Sequence, residues 1–134
     1  MSNMAEDKTE IYVEYQMVNQ QLQELQRRIQ EITNQLNELQ ITRVAVEEIP
    51  KTEKGTEILS PLAPGIFIKA RLEDNSEFHI NVGSNTVVLK SADDTKKLLS
   101  EQEAEIQKVE EQLAMQWQVL VMKLHEIQDK LKNV

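Results

Sequence analysis

The sequence predicts an α+β chain: two long helices paired antiparallel as a coiled coil, with two β-hairpins between them. Three observations carry that prediction. All three glycines (Gly55, Gly65, Gly83) and all three prolines (Pro50, Pro61, Pro64) fall between residues 50 and 83, which leaves both flanks free of helix breakers. Each flank carries an apolar stripe at the 4-3 spacing of a coiled-coil seam. Between the flanks the apolar period changes to 2, with β-branched residues and turn signals. The segments are therefore a first helix within residues 1–44, a linker and two hairpins over 45–91, and a second helix within 92–134.

The first helix is expected over residues 7–44. Its stripe is Ile11, Tyr15, Val18, Leu22, Leu25, Ile29, Ile32, Leu36 and Leu39, a 4-3-4-3 pattern without an error. Such a pattern supercoils left-handedly and needs a facing helix, because an apolar stripe left in water does not offset the entropy of ordering a long rod. Tyr12 and Val13 lie off this seam, so the helix is apolar on more than its inner face near its start. Arg27 and Arg28 form the single adjacent arginine pair, read as a solvated face balancing Glu24 and Glu31.

Residues 45–55, with five charges and Gly55, read as a linker. Four strands follow at 56–60, 66–72, 77–82 and 86–90. Reversals fall at Ala63-Pro64-Gly65, Asp74-Asn75-Ser76 and Gly83-Ser84-Asn85, whose residue types suit tight turns. Four short strands cannot cover both faces or both edges of a sheet, so they are expected to pair with strands of other chains. Ile66, Phe67, Ile68, Phe78, Ile80, Val82, Val87, Val88 and Leu89 are the residues expected to carry that assembly.

The second helix opens at Ser91-Ala92-Asp93-Asp94, a capping serine with acids in the first turn, and closes with Lys130 and Lys132, where cations suit the helix dipole. Its stripe is Ile106, Val109, Leu113, Trp117, Leu120, Leu124, Ile127, Leu131 and Val134. Consecutive spacings of four around Leu113 are a stutter, which locally unwinds the supercoil beside the bulky Trp117. Gln102 reads as a polar seam position upstream. Antiparallel pairing with the first helix then sets residues 11–18 beside 120–134, and the two ends of the chain meet.

Composition narrows function by exclusion. Cysteine is absent from the 134 residues, which removes disulfides, a thiol nucleophile and cysteine-ligated zinc and suits a reducing cytoplasm. Residues 1–9 are polar and acidic, and nowhere do about 18 apolar residues run together, so neither a targeting segment nor a membrane span is expected. The formal charge of −8 is spread along the chain and offers no basic field, so nucleic acid is not an expected partner. His79 and His125 share no ligand spacing, and the glycines stand 10 and 18 residues apart without forming a phosphate-binding loop. Ser84 belongs to a Gly-Ser-Asn turn with no evident base. No catalytic residue, metal or cofactor is expected.

The string Ile58-Leu59-Ser60-Pro61-Leu62-Ala63-Pro64-Gly65-Ile66-Phe67-Ile68-Lys69-Ala70, followed by Ile80-Asn81-Val82-Gly83-Ser84-Asn85-Thr86-Val87-Val88-Leu89-Lys90-Ser91, resembles the hairpin region of archaeal-type α-class prefoldin subunits. Ser60, Ala63, Asn85 and Leu89 depart from the usual residues of that pattern. In layout the resemblance covers the whole chain. It implies a hexamer of two α-class and four β-class subunits, whose strands close an inter-subunit β-barrel from which the coiled coils hang as arms. It also implies a cytoplasmic, ATP-independent chaperone, which holds unfolded proteins between the arm tips and delivers them to a group II chaperonin.

The residues themselves indicate where such contacts would be made. A paired seam runs out at its tip, and the side chains expected to open there are Ile11, Tyr12, Val13, Tyr15 and Val18 on the first helix and Met122, Leu124, Ile127, Leu131 and Val134 on the second. Met17 and Met122 add flexible, polarizable surface. The competing reading is an adaptor or structural coiled coil, whose seam is closed by a specific partner helix and whose hairpins merely join subunits.

Overall fold

A computed structural model describes residues 4–133, with side chains from residue 7 onward. The order of elements is α1 (Met4–Glu48), a 3-10 turn (Ile49–Lys51), β1 (Glu57–Ala63), β2 (Ile66–Arg71), β3 (Glu77–Asn81), β4 (Val87–Ser91) and α2 (Ala92–Lys132). The chain divides into two units: unit one holds α1 up to Leu36 with α2 from Ala104, and unit two is Asn37–Glu103.

Unit one is a closed helical pair. Val18, Leu22 and Ile127 form its buried cluster, with Ile11, Tyr15, Trp117, Leu120, Val121, Leu124 and Leu131 packed against it. Leu25 and Leu113 are buried as well. Residues near the start of α1 thus share a core with residues near the end of α2, so the helices run antiparallel. Val134, the last expected seam residue, lies outside the described residues.

Unit two contains the end of α1, which runs four residues beyond the expected 44. Ile41 and Val44 are exposed, whereas Val46 is buried. Past the expected stripe, which ends at Leu39, the seam continues as the partly buried Arg43 and the buried Val46. Arg43 forms an ion pair with Glu103 and donates to Ser100 Oγ at 3.3 Å, and Gln40 Nε2 donates to the Glu103 carboxylate at 3.0 Å. Glu103 is therefore the polar seam residue of α2, and Gln102, expected in that role, points to solvent.

The α-helix stops at Glu48 and tightens into the 3-10 turn Ile49–Lys51, where Pro50 lacks the N–H that a further α-helical bond would need. Thr52 then satisfies two exposed carbonyls, its N–H donating to Ile49 O and its hydroxyl to Glu48 O. What was expected to be linker from residue 45 is thus still helix through Glu48.

The strands form two separate antiparallel sheets of two strands each, β1 with β2 and β3 with β4, and the chain closes no barrel by itself. Strand β1 is longer than expected and runs through Pro61, which pairs with Phe67. A proline is tolerated there because β1 has a free edge. The register shifts between Pro61 and Ala63 before the Pro64-Gly65 reversal, where Gly65 takes a φ of 80° that other residues rarely adopt. The second hairpin reverses through Gly83, Ser84 and Asn85, all at positive φ, with Asn81 Oδ1 accepting from the Gly83 N–H at 2.9 Å.

Between the hairpins, Asp74 accepts hydrogen bonds from the N–H and the hydroxyl of Ser76. The backbone bond from Ser76, and then its hydroxyl, hold the Asp74 carboxyl below its ordinary range. Asn75 Nδ2 ties this turn back to Thr52 O at 2.8 Å. Helix α2 starts as expected: the Asp94 N–H donates to Ser91 Oγ at 3.1 Å, and the buried Thr95 donates its hydroxyl to Ser91 O at 2.7 Å.

Candidate functional site

The paired ends of α1 and α2 belong to unit one, and its packing sorts the expected contact residues into three kinds. Val18 and Ile127 are each only 1% exposed and make the core, so neither offers surface in this state. Ile11, Tyr15, Leu124 and Leu131 are half-buried and close the end of the seam. Tyr12 at 50%, Val13 at 51% and Met122 at 66% stand open to water. Helical geometry accounts for the division. One step from a seam position rotates a side chain about 100° away from the partner helix. Tyr12 follows the seam residue Ile11, and Val13 lies two steps past it.

Charged groups border this end without filling it. A shallow cleft of about 530 Å³ is lined by Asp7, Glu10, Ile11, Glu14, Lys130 and Asn133. Lys123 lies 3.9 Å from Glu14, a loose and exposed cross-helix pair. Further along α1, Arg27 bridges Glu24 and Glu31 on the solvent face. Its hydrogen bond and charge hold the Glu24 carboxyl below its ordinary range, and the same contact raises the Arg27 guanidinium.

Sequence reasoning missed one feature of this unit. A groove of about 740 Å³ runs along one side of the pair, walled by Met17 on α1 and by Met115 and Val119 on α2, with Leu25 and Leu120 also lining it. Met17, Met115 and Val119 are all exposed. The signal was present: Met115, Val119 and Met122 repeat at 4-3 spacing, a second short stripe out of phase with the seam. The regular seam beside it drew attention away.

In unit two the residues expected to assemble subunits divide by strand alternation in the second hairpin, whereas in β2 three consecutive ones are exposed on both faces. Ile66, Phe67, Ile68, Val82, Val87 and Leu89 are exposed. Phe78, Ile80 and Val88 are half-buried on the opposite face of the second hairpin, where Ile80 pairs with Val88. The alternation matches the pleat: His79 and Leu89 face one way, Ile80 and Val88 the other. Among the described residues no group of three acidic or histidine side chains could hold a metal, and no helix is long and apolar enough to cross a membrane.

Two helices flanking two hairpins, with a closed helical pair and unpaired strand surfaces, define a recognisable class. The family model described as prefoldin subunit matches residues 18–134, and the chain belongs to the prefoldin family. It is similar to prefoldin subunit alpha of Thermofilum pendens, with 28% identity over 129 residues, 96% of this chain and 100% of that one. It is likewise similar to prefoldin subunit alpha 1 of Methanocaldococcus jannaschii, with 32% identity over 112 residues, 84% of this chain and 76% of that one. A cryo-EM structure of filamentous PFD from the same archaeon shares the fold, with a TM-score of 0.74 at 13% identity over 84% of this chain and 93% of that one.

Proposed function

We propose that this chain is an α-class subunit of an ATP-independent, cytoplasmic chaperone, which captures unfolded proteins at its paired helix ends and delivers them to a group II chaperonin. The observation that carries the reading is the group of open, off-seam apolar side chains, Tyr12, Val13 and Met122, beside a seam that is already sealed by Val18 and Ile127. A sealed seam does not need a partner helix to complete it, which weighs against the adaptor reading. The open residues leave half or more of their surface in water, and the flexible thioether of Met122 is of the adaptable kind that tolerates varied partners.

Assembly is part of the same reading. The exposed apolar strand residues favour an inter-subunit β-barrel, since bare two-stranded hairpins cannot shield both faces and edges, and the family resemblance implies two α-class and four β-class chains for it. Each helix end offers a small patch and binds weakly. Several ends facing one client raise avidity by about 10²–10⁴-fold where geometry permits, and weak single contacts allow release without an energy source.

The test is aggregation of several unrelated denatured proteins, followed by light scattering without ATP, in the presence of the assembled complex. The expected result is protection that is lost with Tyr12→Ser, Val13→Ser and Met122→Ser combined, while oligomer mass and helix content stay unchanged. Full protection by the triple variant contradicts the reading.

A further inference from the structure

The side groove of unit one has no role in the reading so far. We propose that it docks an amphipathic α-helical segment of a captured protein, laid alongside the pair as a third helix. The proposal deepens the chaperone reading and rests on it.

Continuity with the existing helix interface is the first argument. Leu25 and Leu120 belong to the seam and also line the groove, so an occupant packs on the flank of a core that is already ordered. The exposed walls, Met17 on one side and Met115 and Val119 on the other, stand where a third helix would insert its own side chains.

Spacing selects a helix over an extended segment. Groove residues recur along each wall at the helical pitch of ~5.4 Å. Same-face side chains of an extended chain recur at ~6.6–6.8 Å and fall out of step within two turns. An extended segment would also leave its backbone N–H and C=O groups without partners against a helical wall, whereas a helix satisfies its own.

Charge sets the polarity of the occupant. The groove's polar lining is mostly neutral glutamine, Gln20, Gln21 and Gln116, and the Glu24 carboxylate is held by Arg27. Arg28 lines the groove as well, and its charge acts on Glu24 through space without the direct bond that Arg27 makes, so its guanidinium can meet a carboxylate of the occupant. The fitting occupant therefore carries apolar side chains at 4-3 spacing and an acidic side chain at the end that meets Arg28.

The experiment measures fluorescence anisotropy of a labelled 20-residue peptide, with leucines at 4-3 spacing and one terminal glutamate, titrated with the assembled complex. A peptide of identical composition with alternating leucines is the control. The helical peptide is expected to bind about tenfold tighter than the control. Val119→Glu or Met115→Glu is expected to weaken it about tenfold or more, by setting a charge in the apolar wall. Arg28→Gln is expected to erase the preference for the glutamate-bearing peptide over its glutamine analogue. Both wall positions are exposed in the chain, and unchanged melting and oligomer mass verify that it folds. Equal binding of the two peptides overturns the proposal, as does full affinity in both wall variants. If those results come with intact aggregation protection, the groove assignment falls and the chaperone reading stands. If the complex protects no client at all, both fall.

Discussion

Unit one and unit two spend their apolar residues in opposite ways. In unit one the 4-3 stripes of α1 and α2 find each other within one chain, leaving Val18, Leu113 and Ile127 almost fully buried. In unit two the strands alternate apolar residues onto surfaces that the chain itself does not cover, and Phe67, Ile68, Val87 and Leu89 stay exposed. The difference is one of geometry. A helix with a single apolar stripe needs one neighbour, which the returning chain supplies. A two-stranded sheet has two faces and two free edges, and the two hairpins of this chain do not pair with each other. Secondary structure thus decides which part of the chain is self-sufficient and which requires company.

The largest expected effect tests the self-sufficient side. Leu113→Ala removes a side chain that is 2% exposed and should destabilise the helical pair by about 2–5 kcal/mol, read as a lowered urea midpoint. A loss well under 1 kcal/mol would mean that the seam relaxes around the gap and is less sealed than its burial indicates.

Next comes the dependent side. Phe67→Asp and Leu89→Asp change residues that are already exposed in the chain, so each should leave its melting nearly unchanged and yet lower the oligomer mass in native mass spectrometry. An unchanged mass would assign assembly to other surfaces.

The polar seam contact in unit two sharpens the comparison at a smaller scale. Arg43→Leu removes one of the contacts of the partly buried Glu103, which keeps its bond from Gln40, and should cost about 1–3 kcal/mol in chemical denaturation. Pairing it with Glu103→Leu should recover that loss, because two apolar residues satisfy the seam that the ion pair interrupts. Failure of the double variant to recover would give the polar pair a role beyond filling the seam.

Smallest of all is the solvent-face cluster of Arg27 with Glu24 and Glu31. Arg27→Ala should produce a marginal change in melting temperature that added salt abolishes, since both carboxylates are more than half exposed. The Glu24 carboxyl is held below its ordinary range by Arg27, so its contribution is present at neutral pH and disappears as pH falls through that lowered value. A variant whose deficit instead grew on acidification would reverse that sign.

Much of this was legible in the sequence because heptad spacing and the clustering of glycine and proline are strong, local signals. The nine seam positions of α1 stand on the seam side, and the turns at Pro64-Gly65 and Gly83-Ser84-Asn85 fall where their φ preferences require. What was hidden depended on long-range pairing. Arg43 reads as a surface residue until Glu103, sixty positions away, is brought beside it. Ile41 and Val44 then mislead, since their apolar side chains suggest the seam while Val46 takes it. At the helix ends, sequence did not separate sealing residues such as Ile127 from open ones such as Met122. Three or four steps along a helix keep the same face, whereas the five steps from Met122 to Ile127 change it, and only the partner helix fixes which face is inner.

Hydrogen–deuterium exchange on the chain alone and in its assembled complex tests the division most directly. The account predicts that amides of 18–32 and 109–127 are slow to exchange in both states, while those of 57–71 and 77–91 are fast in the isolated chain and become protected on assembly. Hairpins already protected in the lone chain, or helices that gain protection only with partners, would contradict it.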